Sequence, residues 1–577
     1  MPTLRTPEWA RQAVWYQIVP ERFRNGDETN DPTADTLESP PIRDWHTSRW
    51  TGDWYAIDAW EQALGGFSAS VWHRRYGGDL KGIRDALDYL QDLGVNALYL
   101  TPVFHARSLH KYDGMGYHHI DPHFGPDPAG DKRLIAAARE SDDPRTWVWT
   151  AADRCFLDLV RELHERNMRI ILDGVFNHTG RDCFAYQDLL AHGKQSRYAD
   201  WYAIEKWDAA LPHGFKARGW FGHASLPEFA RQDGTLAPAV REYIINCTRR
   251  WMDPGNDGNT AAGIDGWRLD VAFCVPHAFW KEWRAVVNSI NQDAYLVGEI
   301  IDVAPEYLQG DEFDALMNYP FLFCLSEFLM DRKHRVTATV FDQRLRQVRD
   351  AYPPGATAVM QNLLGSHDTQ RLASAIVNPD LGYRDWGTCF SRSQVLNNSA
   401  YEVRKPAPEE IQRMKLAVLF QMTYLGAPMV YYGDEAGLWG ANDPCCRKPM
   451  LWPELPCDVE AGHPHGGTRA PDETAFNHDL FAYYRTLIHA RRGHSELMLG
   501  DYATLLADDA RQVFVFSRTF NGRSAIVIIN NSDQSQCVAW PSDWPSGAFS
   551  GVLTHQPGAQ GVIRLAPVSG DLFCQPA

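Results

Sequence analysis

Four short stretches put acids and bases at or near the ends of apolar runs: Asp173-Gly-Val-Phe-Asn-His178, Arg268-Leu-Asp270, Gly298-Glu299 and Ser366-His367-Asp368. If each run is a strand of a βα barrel, its C-terminal end opens on a common mouth, where Asp270, Glu299 and Asp368 would converge with Arg268, His178 and His367. Acids so placed suit cleavage of a glycosidic bond, in which one carboxylate attacks or activates at the anomeric carbon and a protonated carboxyl supplies the leaving oxygen's proton. Arg268, two residues before Asp270 and therefore on the same side of a strand, could hold that carboxylate ionised and oriented. Any one of these acids alone could equally be a helix cap or a surface ion-pair member. Only the four strand ends taken together point to chemistry.

The elements that must position them are legible as alternating apolar runs and helical patterns. Eight runs are candidate parallel strands: Val14–Pro20, Ala97–Pro102, Arg169–Val175, Gly266–Ala272, Tyr295–Ile300, Ala315–Tyr319, Val359–Leu364 and Met429–Tyr432. Strands covered on both faces need not alternate with polar residues, and eight of them permit a closed (β/α)8 barrel. Leu80–Leu93 has helical spacing and a glycine stop at Gly94. The segment after the third run is long for a βα loop and reads as an inserted subdomain, and after His494 a hairpin signal at Asn521-Gly522 indicates a C-terminal antiparallel β domain. The expected domains are therefore 1–176 and 237–495 for the barrel, 177–236 for the insert and 496–577 for a C-terminal β-sandwich.

Composition narrows the function. The 577 residues carry a net charge of −17, which would repel nucleic-acid phosphates and anionic membrane surfaces. The N-terminus lacks the apolar core of a secretory signal, and Leu416–Tyr432, interrupted by Gln421 and Pro428, reads as a buried helix and strand rather than a membrane span. Eleven irregularly spaced cysteines, without CxxC or Cys/His finger spacing, suggest reduced thiols and a cytoplasmic protein. No GxGxxG or GxxxxGK[ST] spacing implies a nucleotide cradle.

The four stretches, in this order, resemble those of the alpha-amylase family, glycoside hydrolase family thirteen. Further strings are similar to its cyclomaltodextrinase, neopullulanase and maltogenic amylase branch: His110-Lys-Tyr-Asp113, Ile120-Asp-Pro-His-Phe-Gly125, His277-Ala-Phe-Trp280 and Tyr431-Tyr-Gly-Asp-Glu435. The resemblance implies a retaining hydrolase of α-1,4 bonds, or of both α-1,4 and α-1,6 bonds, in maltooligosaccharides or cyclodextrins. Asp270 would be the nucleophile, Glu299 the acid/base and Asp368 the third carboxylate. It also implies that Tyr112 is the platform under the reacting sugar, that His178, Arg268 and His367 hold that sugar, and that Asp443 and Arg447 contact the next one. A transglycosylase using the same residues, or a silent sugar-binding barrel protein, is the alternative reading. Two departures stand out. The resemblance begins at the first barrel strand, so the branch's N-terminal β domain is expected to be lacking, which leaves monomer and homodimer open, and Ile300-Ile301-Asp302 stands where the branch has Ile-Trp-His.

Near the first strand, Asn25, Asp27, Asn30 and Asp31 offer oxygen donors, with Gly52 and Asp53 further on. By themselves these residues fit either a polar Asx-rich turn or a Ca²⁺ site. Branch members carry calcium at matching Asn, Asp, Asn, Asp, Gly and Asp positions, so the resemblance implies a structural Ca²⁺.

Overall fold

Seven of the eight apolar runs contain a barrel strand and the eighth overlaps one that starts two residues earlier: β1 (Trp15–Ile18), β2 (Ala97–Leu100), β3 (Arg169–Gly174), β4 (Gly266–Leu269), β5 (Tyr295–Gly298), β6 (Ala315–Leu316), β7 (Gln361–Leu363) and β8 (Ala427–Tyr431). The computed structural model describes residues 4–38, 41–382, 386–558 and 561–576. The strands form one parallel sheet in the order β6-β5-β4-β3-β2-β1-β8-β7. A parallel bridge between Met317 and Gln361 joins its two edges, so the sheet closes as a (β/α)8 barrel. Apart from Arg169 at the start of β3, every strand residue is buried, which is why these runs show no polar alternation.

Amphipathic helices such as Ala151–Glu165 and His277–Ile290 pack between the strands, burying Phe156, Leu159, Leu163, Trp280 and Trp283. The pattern over 80–93 predicts one helix, whereas the chain forms two, Leu80–Asp85 and Leu87–Leu93. At Ala86 the ladder tightens to a bond from its N–H to the Ile83 carbonyl, 3.1 Å, and the apolar stripe continues across the break. Gly94 then ends the second helix in the left-handed region at φ 97°.

Between β3 and the helix Pro238–Met252 the chain makes a helix, Phe184–His192, and two short antiparallel pairs, Ile204–Trp207 with Phe215–Ala217 and Arg231–Gln232 with Thr235–Leu236. At the C-terminus, Val513–Phe520 and Arg523–Asn530 form a hairpin whose turn residues Asn521 and Gly522 both have positive φ. That hairpin sits in a six-stranded antiparallel sheet, and a second pair, Gln536–Ala539 with Val562–Leu565, shares an apolar cluster with it. The Leu416–Tyr432 stretch divides into the helix Pro408–Thr423 and β8, and among the described residues no helix is long and apolar enough to cross a membrane. No disulfide joins any of the eleven cysteines.

Candidate active site

Strand register brings the charged groups together before any side chain is considered. Asp173 on β3 is the direct Cα partner of Arg268 on β4, and Leu269 is the partner of Gly298 on β5. Asp270 and Glu299 therefore leave neighbouring strands at the same level, and each backbone N–H donates to the strand beside it, Asp270 to Gly174 and Glu299 to Leu269. Gly266 makes this close β4–β5 approach possible, since a Cβ there would lie 1.9 Å from the Tyr295 carbonyl oxygen.

The Arg268 guanidinium is fully buried and holds three carboxyl groups. Its Nη1 donates to both oxygens of Asp173 at 2.8 and 2.9 Å and to Asp270 Oδ1 at 3.0 Å, while Nη2 lies 2.7 Å from Glu299 Oε1. Tyr99 also donates to Asp173, at 2.7 Å. The second Glu299 oxygen accepts the Val271 N–H at 2.9 Å. Val271 occupies the left-handed region at φ 38°, a costly conformation for a β-branched residue, and that conformation accompanies its N–H bond to the acid.

A second cluster faces the first. Tyr112, half-buried, stacks its ring on His367 with centroids 5.7 Å apart and planes within 7°, and its hydroxyl donates to Asp173 Oδ2 at 2.9 Å and touches His367 Nε2. The Gln17 amide on β1 lies 2.7 Å from His367 Nδ1, and His367 Nε2 lies 3.0 Å from Asp368 Oδ2. Arg447 donates to the His367 carbonyl at 2.8 Å and to Asp368 Oδ1 at 3.0 Å, and its Nε is 3.1 Å from Asp443 Oδ1. His178 is buried, leans over Trp220 at 5.8 Å, and its Nε2 has no hydrogen-bond partner among the described residues.

These surroundings separate the acids electrostatically. Burial raises Asp270 and Glu299 above the usual carboxylate range; Arg268 opposes this, while Glu299 works against the charge of Asp270 and Asp368 against that of Glu299. Two such carboxyls beside one cation share a proton rather than both ionising. Burial works against Asp368 too, but His367 and Arg447 hold it well below the ordinary range, so it stays charged. Burial lowers His178 to about 4, which keeps that imidazole neutral and able to hydrogen-bond a neutral hydroxyl. A shared proton, a fixed anion and neutral hydrogen-bonding groups at one mouth make an arrangement for acid-assisted displacement at an acetal carbon.

All nine residues singled out for catalysis and sugar contact therefore lie in one connected network or at its edge. Asp173, Gln17 and Tyr99 join them although sequence reasoning gave them no site role. Asp173 was visible as the first residue of its motif, but its grip on Arg268 depends on cross-strand register. Of three aromatic residues in the insert, Phe229 is core, Trp220 packs by His178, and Phe221 is 72% exposed.

The oxygen-rich loop comes out differently. Asn25 Nδ2 donates to Asp31 Oδ1 at 2.7 Å, and Asn30 Nδ2 to Asp79 Oδ2 at 2.9 Å, while Asp79 Oδ1 accepts the Gly26 N–H at 3.1 Å. Gly77 lies against Asn25 and Asp31 so closely that a Cβ would come within 2.1 Å of Asp31 Oδ1. Gly52 and Asp53 do not join this group: Asp53 Oδ2 is taken by the N–H groups of Ala461 and Gly462 at 2.8 and 2.7 Å. The glycine and aspartate that complete the loop are Gly77 and Asp79. The motif match went to Thr51-Gly-Asp53 because spacing alone does not show which Gly-Asp pair folds back.

The alpha amylase catalytic-domain family matches residues 17–142 and 151–386. Neopullulanase 2 of Thermoactinomyces vulgaris is 36% identical over 574 residues, covering 98% of this chain and 78% of that protein. A cyclomaltodextrinase of Thermoanaerobacter pseudethanolicus is 33% identical over 537 residues, covering 92% and 72%. Among solved structures, the cyclic alpha-maltosyl-(1→6)-maltose hydrolase of Arthrobacter globiformis superposes with a TM-score of 0.71 at 27% identity, covering 99% of this chain and 100% of that one. The chain belongs to the alpha-amylase family and is a glycoside hydrolase.

Arg268→Lys keeps the charge but loses the fork that reaches Asp173, Asp270 and Glu299 together. It is expected to lower kcat/KM by at least about 100-fold with an unchanged circular dichroism spectrum.

Proposed function

We propose that this alpha-amylase family member is a retaining hydrolase of α-glucosidic bonds in maltooligosaccharides or cyclodextrins. The observation that carries the reading is the single buried guanidinium shared by Asp270 and Glu299, beside an ionised Asp368. Asp270 attacks the anomeric carbon as the C1–O glycosidic bond breaks, and Glu299 gives its proton to the departing oxygen. Water then attacks C1 of the glycosyl-Asp270 ester, Glu299 takes a proton from it, and Asp270 leaves as carboxylate. Tyr112 supplies an apolar face under the ring, His178, His367 and Asp368 receive its hydroxyls, and Asp443 and Arg447 meet the next sugar. The similarity to proteins named neopullulanase and cyclomaltodextrinase supports short or cyclic α-glucans as substrates.

The same reading includes a structural calcium ion in the 25–31 loop, completed by Gly77 and Asp79. The fit rests on buried oxygens: Asn30 Oδ1 is buried without a hydrogen-bond partner among the described residues, and burial lifts Asp31 to about 6 and also raises Asp79. Hard oxygen donors whose negative charge burial leaves uncompensated suit Ca²⁺. The ion would tie the segment after β1 to the start of the helix Leu80–Asp85, away from the acids.

Two outcomes check these assignments. Glu299 stays protonated above the usual carboxylate range, so activity on a maltooligosaccharide should fall as pH rises through its folded pKa. Glu299→Gln should abolish that activity and spare the first step on a glycosyl fluoride, whose leaving group needs no proton and whose first step therefore shows no such alkaline limb in either protein. Full activity of Glu299→Gln on the oligosaccharide would refute the acid role.

For the loop, an Asp31 pKa of about 6 against an ordinary 3.8 means that the ion-free fold binds more protons than the unfolded chain across that window. Stability of the ion-free protein should therefore fall as pH rises from 3.8 to about 6, and Ca²⁺ should reverse the trend. Scanning calorimetry should show the calcium-dependent rise in Tm lost in Asp79→Asn and kept in Asp53→Asn; the opposite pattern would return the site to Asp53.

A further inference from the structure

Away from the catalytic mouth, the loop after β2 brings two adjacent histidines, His118 and His119, against Glu140, which follows the helix Pro128–Ala138. Glu140 Oε2 is 2.7 Å from His119 Nε2 and 3.3 Å from His118 Nε2, and the three atoms lie within 4.8 Å of one another. Their side chains are about 5% exposed. We propose that His118, His119 and Glu140 form a binding site for a zinc-class transition-metal ion, with a fourth position left for water.

The surrounding groups prepare these atoms as ligands. Asp153 Oδ2 lies 2.8 Å from His119 Nδ1 and orients the ring with Nε2 toward Glu140, the carboxylate–histidine arrangement that supports a metal ligand. The other Glu140 oxygen accepts the Val148 N–H at 2.6 Å, leaving Oε2 for the histidines. In the ion-free protein a proton lies between His119 Nε2 and Glu140 Oε2, 2.7 Å apart, and a bound metal would displace it. Arg250 pairs with Asp153 at 3.0 Å and balances that carboxylate, so the negative charge left over belongs to Glu140.

His118 is arranged in the same way. Its Nδ1 is 2.8 Å from the Tyr243 hydroxyl, which already accepts the Tyr117 N–H at 2.9 Å, and its ring stacks on Trp147 at 4.5 Å. Ligands at about 2.0 to 2.2 Å around a tetrahedral ion are about 3.3 Å apart, close to the 2.7 and 3.3 Å found here. Two imidazoles and one carboxylate suit zinc, not the all-oxygen preference of calcium. The bound ion would clamp the loop carrying Tyr112 to the segment leading into the helix Ala151–Glu165.

The test uses the full chain, stripped with a chelator and returned to excess Ca²⁺ so that the oxygen loop is not what is read. Zn²⁺ titrated by calorimetry is expected to bind one equivalent and raise Tm, and Co²⁺ to give the visible bands of a four-coordinate nitrogen and oxygen site. Glu140→Gln and His118→Gln should each weaken that equivalent at least tenfold. The double variant His463→Gln/His465→Gln, which removes the two histidines between the paired strands Glu460–Gly462 and Thr468–Asp472, should keep it. The proposal is overturned if the wild type binds neither ion, if uptake disappears with His463 and His465, or if it survives in both Glu140→Gln and His118→Gln. Should a site variant fail to fold, the wild-type cobalt spectrum decides alone, because a six-coordinate or absent signal excludes this site.

Discussion

One buried cation organises the active site. Arg268 has no access to water, and three carboxyl groups reach its guanidinium from β3, β4 and β5. Burying such a set is a weak source of stability, because desolvation cancels much of the Coulomb gain. Its effect is on charge. With Asp173 bound through both oxygens, the positive charge remaining for Asp270 and Glu299 stabilises one anion more readily than two. The opposite cluster has no such ambiguity, since His367 and Arg447 fix Asp368 as an anion.

The scaffold delivers this arrangement through strand register. A parallel barrel places Cα partners side by side on the same face, so Asp173 next to Arg268, and Leu269 next to Gly298, set the spacing of the acids to within side-chain reach. The costs are local: a glycine where β4 meets the Tyr295 carbonyl, and a valine held at positive φ directly after Asp270. Lys111, directly before Tyr112, is also left-handed at φ 59°, and its ammonium pairs with Asp121 at 2.7 Å. Left-handed residues thus adjoin the functional side chains on both sides of the mouth.

Much of this was legible in the sequence, for identifiable reasons. Runs buried on both faces stay apolar throughout, so all eight strands could be read, and acids closing such runs must collect at the mouth. Asn521-Gly522 encodes its own turn. Three features were not legible. Asp173 looked like one motif acid among several because its role depends on a cross-strand pair. Gly77 and Asp79 lost to Gly52 and Asp53 because only the folded loop shows which glycine lies against Asp31. The break at Ala86 leaves the apolar stripe intact, so periodicity carries no trace of it. Local patterns identify elements, whereas contacts between residues distant in sequence must be seen in the fold.

The central claim is that Asp270, not Glu299 or Asp368, forms the bond to sugar. The direct measurement is mass spectrometry of peptides from Glu299→Gln after incubation with an α-maltosyl fluoride, where the first step can proceed and the second is slowed. The account requires a one-to-one maltosyl adduct on the peptide containing Asp270, absent when Asp270→Ala is added. An adduct on Asp368 or Asp173, or fluoride release that survives Asp270→Ala, would contradict it.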